Sequence, residues 1–358
     1  MRAAFYDTPG PARSVLRVID VERPEPGPGQ VRVRVTLSAV NPGDMYWRQH
    51  STERDFQRVG KRRGRIPHQD GTGVIDAVGE GVDASRVGNR VWIWMAASGE
   101  VWGTAAEWVV VPSEQAVDLP DGASDALGAC LGIPAMTAHL TLHGDGPLHG
   151  RTVLVAGGAG AVGHYAIELG KAAGATVVTT VSGSEKATHA KAAGADLVVN
   201  YRDPDAARQI LDGVGPVDRI VEVALRDNLE LDLAVAAPGA TVVTYAAPAE
   251  DPSLPVLRLM WSHLTLRFTL FHRAAEHTAS RRGRAHRGPG RGRPHAAAAA
   301  HLRPRRGGRR ARGRRARRPG QGGARFALSG SRAAGALFIT VQQRSGSMAS
   351  ITAAVIFA

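Results

Sequence analysis

Apolar and polar positions alternate with a period of two at Val31-Arg-Val-Arg-Val35, and further β-rich runs follow at Gly73–Gly79, Arg90–Trp94 and Glu107–Val111. This period predicts strands with one buried face, and the glycines and prolines between them mark turns. Residues 1–124 are therefore expected to form a β-rich domain. Between Ser124 and His143 the pattern becomes helical. From Arg151 onward, short apolar runs alternate with helical stretches. Strands are predicted at Thr152–Ala156, Ala175–Val181, Asp196–Asn200 and Leu264–Leu270, with a helix at His164–Ala173 ended by Gly174. Such a rhythm predicts an α/β domain over 125–271 built on a doubly wound parallel sheet.

The patterning stops at Arg273. From there to Gly330, 46 of 58 residues are Gly, Ala, Arg or Pro, in runs such as Arg303-Pro-Arg-Arg-Gly-Gly-Arg-Arg310. A segment of this composition cannot bury enough apolar surface to offset its ordering entropy. Residues 272–358 are accordingly expected to be a disordered, low-complexity, arginine-rich tail. It changes how the charge is read. The whole chain carries +13, but residues 1–272 hold 25 Lys and Arg against 31 Asp and Glu, a net of −6, while residues 273–358 hold 20 Arg against Glu276 alone, a net of +19. Two readings of the tail stand side by side: an arm that binds phosphates or another polyanion, and an out-of-frame translation, since Gly, Ala, Arg and Pro share codons with G or C in both leading positions. The acidic body and the absence of a recognition motif argue against nucleic acid as the main partner.

A chain of 358 residues with 43% apolar side chains suits two ordinary cores. The single cysteine, Cys130, excludes a disulfide framework and a four-thiolate zinc site, and points to a reducing compartment. Met1 to Thr8 lacks the apolar stretch of a signal peptide, and no apolar run reaches the roughly 18 residues of a membrane span. A soluble, cytoplasmic protein without a membrane partner is expected.

The most specific motif follows the first strand of the second half. Gly157-Gly-Ala-Gly-Ala-Val-Gly163 places Gly158, Gly160 and Gly163 at G-x-G-x-x-G spacing between a predicted strand and a predicted helix. The first glycine makes the turn, the second lets backbone amides approach a pyrophosphate, and the third allows close helix packing. Ala161 and Val162, within the same turn, are expected to bind the cofactor with the three glycines. Which dinucleotide binds depends on the end of the next strand. A site for the unphosphorylated ribose usually has Asp or Glu there. This chain has Thr180, Val181 and Ser182, with Lys186 and Tyr201-Arg202 nearby in sequence, so Ser182, Lys186 and Tyr201 are expected to bind a 2′-phosphate, and the expected cofactor is NADPH.

Together with Glu168-Leu-Gly-Lys-Ala-Ala-Gly-Ala175, Ser184-Glu-Lys186, Gly194-Ala-Asp196, Asn200-Tyr-Arg202, Asn41-Pro-Gly-Asp-Met-Tyr46 and Val217-Asp-Arg-Ile-Val-Glu-Val-Ala224, the glycine turn resembles the zinc-independent quinone oxidoreductase (zeta-crystallin-like) branch of the medium-chain dehydrogenase/reductase superfamily. The resemblance covers residues 1 to about 271. It implies a GroES-like catalytic domain, a Rossmann cofactor domain, and hydride transfer from NADPH to a quinone or enone in the cleft between them. It also implies that Asn41 and Tyr46 line the acceptor cleft as catalytic hydrogen-bond donors, that Thr137 packs beside the nicotinamide, and that the strand at 264–270 is an edge through which a homodimer forms. A general alcohol or aldehyde reductase of the same superfamily is the alternative.

A catalytic zinc needs about three converging Cys, His or carboxylate ligands. Asn41 stands where zinc-dependent relatives begin their ligand set with Cys, and His68 and Asp70 read as a loop histidine beside a turn aspartate, so no metal is expected. Two stretches depart from the family pattern. One is the tail. The other is the basic segment Arg48–Arg65, with Arg54, Arg58, Lys61, Arg62, Arg63 and Arg65, where relatives usually carry a short neutral loop.

Overall fold

The computed structural model describes residues 1–248, 250–271, 326–333, 336–343 and 351–355, the last three stretches through their backbone. The chain opens with β1 (Arg2–Phe5), a short helix α1 (Ala12–Val15) and β2 (Arg17–Asp20), the two strands pairing antiparallel. The predicted alternation becomes β3 (Gln30–Ala39), and helix α2 (Pro42–His50) follows. Next come a hairpin of β4 (Gln57–Val59) and β5 (Arg62–Gly64), then β6 (Asp70–Val78), β7 (Arg90–Ile93), β8 (Trp108–Pro112) and β9 (Ala116–Asp118). Strand β3 pairs antiparallel with β6 and β8, β6 with β7, and β7 with β9. Their inward residues Val31, Val33, Ile75, Val91, Ile93 and Val109 form one buried cluster.

The alternation in β3 does not place every basic side chain in solvent. Arg32 is buried, with its guanidinium 2.8 Å from Asp76 and 2.6 Å from Glu25. Two carboxylates in reach allow the charge to be buried.

Helix α3 (Asp125–Ala129), a single π-helical turn (Leu131–Ala135) and helix α4 (Met136–His143) lead into the second half. Pro134 lies within the widened turn, where its missing N–H interrupts the regular ladder.

The second half is the expected parallel sheet. Its strands β10 (Thr152–Val155), β11 (Thr176–Val181), β12 (Leu197–Asn200), β13 (Val217–Glu222), β14 (Ala236–Thr244) and β15 (Thr265–Phe268) lie in the order β12-β11-β10-β13-β14-β15. Helices α5 (Ala161–Ala172), α6 (Ser184–Ala192), α7 (Ala206–Val214), α8 (Leu225–Val235) and α9 (Val256–Trp261) connect them. Val153 and Val155 enter one core cluster and Leu154 the other, so β10 is covered on both faces, as a near-continuous apolar strand requires. The strand order reverses between β10 and β13, and a ligand crevice forms beyond the carboxyl ends of the strands at such a point. Helix α5 begins three residues before the predicted His164, because Gly160 in extended backbone is its N-cap.

Most of the arginine-rich tail, Arg303–Arg310 included, lies outside the described residues. The expectation of an irregular chain to residue 358 does not hold for β16 (Phe326–Ala333), β17 (Ala336–Gln343) and β18 (Ile351–Val355), which pair antiparallel in turn and meet β3 at Ala39 and Ser38. The reason lies in composition. Ala336-Leu-Phe-Ile-Thr-Val341 is aliphatic and β-branched and contains no arginine, which is strand-forming sequence. Among the described residues no helix is long and apolar enough to cross a membrane.

Candidate active site

The glycine turn is fixed to the sheet by backbone bonds. Gly158 donates to the Thr180 carbonyl (3.2 Å) and Gly160 to that of Gly157 (2.8 Å), while Thr179 Oγ1 donates to the Val155 carbonyl (2.6 Å). Gly157 sits at φ +71°, in the left-handed region, so a glycine suits this position. A Cβ on Gly163 would lie 2.4 Å from the Gly157 carbonyl oxygen, and one on Gly158 would lie 2.1 Å from Thr179 Oγ1. Only glycine lets the helix pack this close. The first amides of α5, at Ala161, Val162 and Gly163, have no partner within the helix and carry its positive dipole end, so the turn fits a pyrophosphate.

Strand register brings Ser182 and Tyr201 to one edge. Val181 pairs with Asn200, and Tyr201 donates its backbone N–H to the Val181 carbonyl (3.2 Å), which places Tyr201 beside Ser182. Lys186 is exposed in the first turn of α6. The guanidinium of Arg202 lies 5.7 Å from the centre of the Tyr201 ring.

On the catalytic side, Asn41 is the N-cap of α2 and is buried. Its backbone N–H donates to Asp44 Oδ2 (2.7 Å) and its Nδ2 donates to Asp70 Oδ2 (2.8 Å). The same Asp70 oxygen accepts from the Ile133 N–H (2.8 Å). Asp70 thus ties the α2 N-terminus to the π-turn, and Thr137, buried, follows Ile133 by four residues, about one helical turn. Tyr46, by contrast, is 53% exposed and stacks on His50 at 4.3 Å. The structure therefore brings Asn41 and the Thr137 helix together through Asp70 and leaves Tyr46 at the surface of α2.

Asp70 and Asp44 were not recognised as site residues in the sequence. Both are buried, and burial pushes Asp70 up to about 8 and Asp44 up to about 7, despite the N–H groups they accept. Asp70 Oδ1 has no hydrogen-bond partner, and a Cβ on Gly132 would lie 2.2 Å from it. Burial likewise pushes His68 down to about 4 and Cys130 up to about 11. At the carboxyl end of β13, Glu222 is fully buried and accepts from Ala224 N–H and from Asn228 Nδ2 (3.0 Å). Burial raises its pKa, and it raises that of the buried Asp232 as well by burial and by the charge of Glu222.

The donor set does not suit zinc. Asn41 spends an amide N–H on Asp70, and His68 Nδ1 is 2.9 Å from Ser38 Oγ. Among the described residues, no group of three His, Cys, Asp or Glu is placed to hold a metal ion.

Residues 27–121 match the family model of the alcohol dehydrogenase GroES-like domain, and residues 161–281 that of the zinc-binding dehydrogenases. An alcohol dehydrogenase of Geobacillus stearothermophilus is 31% identical over 265 residues, covering 67% of this chain and 77% of the relative. A quinone oxidoreductase of Pseudomonas aeruginosa is 31% identical over 277 residues, covering 75% and 81%. Among solved structures, an NAD-dependent alcohol dehydrogenase superposes with a TM-score of 0.69 at 26% identity, covering 77% of this chain and 87% of that one. A mycobacterial protein complexed with NADPH does so with a TM-score of 0.63 at 28% identity, covering 76% and 82%.

Proposed function

The chain is an oxidoreductase of the medium-chain dehydrogenase/reductase superfamily, and on that premise we propose that it reduces a quinone or another electron-poor enone or carbonyl acceptor with NADPH, without a metal. The observation that carries this reading is that the buried Asn41 amide is bonded to Asp70, at the position where, by the family resemblance, zinc-dependent relatives begin their ligand set with Cys. NADPH, when bound, supplies the hydride. The chain's own residues position and stabilise. Gly158, Gly160 and Gly163, with the amides of Ala161 and Val162, would cradle the pyrophosphate. Ser182, Lys186 and Tyr201 would hold the 2′-phosphate, and Thr137 would lie against the nicotinamide. Asn41 keeps a second amide N–H beyond the one given to Asp70, and this donor, with the Tyr46 hydroxyl, would stabilise negative charge developing on the acceptor oxygen. A carbonyl without such charge delocalisation would need a Lewis acid that these residues do not provide.

The reading extends to assembly and location. The β15 edge is unpaired in the described sheet, so a second copy is the proposed partner there, and the compartment is proposed to be the cytoplasm. The similarity to alcohol dehydrogenases favours the second reading, a general alcohol or aldehyde reductase. A panel of acceptors separates the two. NADPH oxidation should be at least tenfold faster, in kcat/KM, with a small quinone than with a simple aldehyde. The reverse order would establish the reductase of aldehydes and alcohols.

A further inference from the structure

An asparagine amide has two ends of almost the same shape, one an acceptor and the other a double donor, so what it can do depends on what holds it. Two buried acids hold Asn41. Its backbone N–H donates to Asp44 Oδ2 (2.7 Å), and its Nδ2 donates to Asp70 Oδ2 (2.8 Å). The backbone N–H of Ile133 donates to the same Asp70 oxygen (2.8 Å). Two N–H groups converging on one oxygen mark it as the acceptor of the carboxyl, which assigns any proton to Oδ1, the oxygen without a partner. Held in this way, the Asn41 amide has one N–H left to give.

The carboxyl sits in a socket of fixed shape. Asp70 is fully buried at the start of β6, where it pairs with Ala39 of β3, and its carbonyl accepts from Thr104 Oγ1 (2.6 Å). A Cβ on Gly132 would lie 2.2 Å from Oδ1, so a glycine is needed there to leave room for it. Gly132 and Ile133 belong to the π-turn that runs directly into α4, the helix of Thr137. One carboxylate oxygen therefore sets the Asn41 amide relative to the segment that leads to Thr137. The rate of a bound reaction changes steeply with such placement.

We propose that Asp70 is the positioning residue of the acceptor site: its Oδ2 holds the Asn41 amide by one N–H and keeps the other for the acceptor oxygen. For the work of that second N–H the inference rests on the quinone-reductase reading; the hold on the amide does not depend on it. Without the bond to Asp70 the amide can turn over and present its own oxygen, which repels negative charge developing on the acceptor.

The test joins kinetics to a spectrum. NADPH-driven reduction of a small quinone is measured in the full chain as wild type, Asp70→Ala, Asp70→Asn, Asn41→Ala and Asn41→Ala/Asp70→Ala. Asp70→Ala should lower kcat by at least about tenfold and change KM by less than about threefold, and Asp70→Asn, which keeps an oxygen in the place of Oδ2, should restore most of the loss. In the Asn41→Ala background the Asp70→Ala change should cost less than about threefold, because the residue through which it acts is gone. An equal loss in both backgrounds overturns the proposal, since a general structural role acts regardless of Asn41. The chain has four asparagines, Asn41, Asn89, Asn200 and Asn228, so the side-chain NH2 signals of protein isotope-labelled at asparagine are few. The signal lost in Asn41→Ala is that of Asn41, and in Asp70→Ala its exchange with solvent should be at least about tenfold faster than in the wild type, with the other three unchanged. If no quinone is reduced while the Asn41 signal responds in this way, the hold stands and the quinone reading falls. An Asn41 signal indifferent to Asp70 overturns the proposal. Should Asp70→Ala lack a cooperative melt, Gly132→Ala, whose methyl would displace the carboxyl, takes its place with the same expected results.

Discussion

Lys186 stands in the first turn of α6 with no carboxylate at the end of β11 to oppose a phosphate. One charge-assisted bond there is worth roughly 1.5–3 kcal/mol, or about 10- to 150-fold in affinity. Lys186→Ala should weaken NADPH binding by that factor and leave NADH binding unchanged. Titrating both cofactors against both proteins checks it, and equal losses for the two would remove Lys186 from the phosphate site. The buried acids make a second prediction. Asp70 and Asp44 are raised in the fold, to about 8 and about 7, so the folded chain binds protons that the unfolded chain releases near pH 4. Their stabilisation is full below about pH 4 and is lost as pH rises through the folded values. His68, lowered to about 4 from an ordinary 6.5, acts in the opposite sense between those values and not above them. Between pH 6.5 and 8 the carboxyls act unopposed, and stability should fall, by up to about 1.4 kcal/mol per pH unit for each proton involved. Denaturant midpoints at the two pH values measure the fall, and Asp70→Asn should make it shallower. An unchanged slope in that variant would contradict a protonated Asp70.

At the scale of elements, the strand–turn–helix unit from Thr152 to Ala172 joins sequence pattern to site most tightly. A methyl at Gly163 would meet two backbone groups of the turn, the Gly157 carbonyl at 2.4 Å and the Gly158 Cα at 2.9 Å, and neither can rotate away. Gly163→Ala should therefore lower stability by about 1–3 kcal/mol and abolish cofactor binding, since α5 must move off the sheet. Cofactor binding at wild-type strength in that variant would mean that the turn is not the cradle. This unit was legible in the sequence because its constraints are local: an apolar run, three glycines at fixed spacing, a helix-length amphipathic stretch. The order of β3 and β6 to β9 was not, because antiparallel pairing joins residues as distant as Val31 and Val111. The Asn41–Asp70–Ile133 link was hidden for the same reason. It joins three elements by two hydrogen bonds, and nothing in the Asp70-Gly-Thr-Gly73 run distinguishes a buried carboxyl from a turn residue. The burial of Arg32 was equally hidden, since its partners Asp76 and Glu25 lie on other segments.

At the scale of the molecule, the second half carries a set of exposed apolar side chains. Val256, Leu257, Met260 and Trp261 on α9 are each more than 60% exposed, as is Phe268 on the adjacent edge strand β15. An apolar patch next to an unpaired strand edge is an association surface. If the proposed second copy covers it, Leu257→Glu/Trp261→Glu should convert a dimer to a monomer in sedimentation, with little change in cofactor affinity. A wild-type monomer would remove the homodimer. In the proposed function a glycine cradle and hydrogen-bond donors, without a metal, would position NADPH for hydride transfer to a quinone. Its most direct test is the rate of NADPH oxidation by quinone in one preparation before dialysis against a strong chelator, after it, and after zinc is restored, with bound metal quantified at each step. The expected result is one rate throughout and no stoichiometric zinc; a rate that falls with the chelator and returns with zinc would contradict the account.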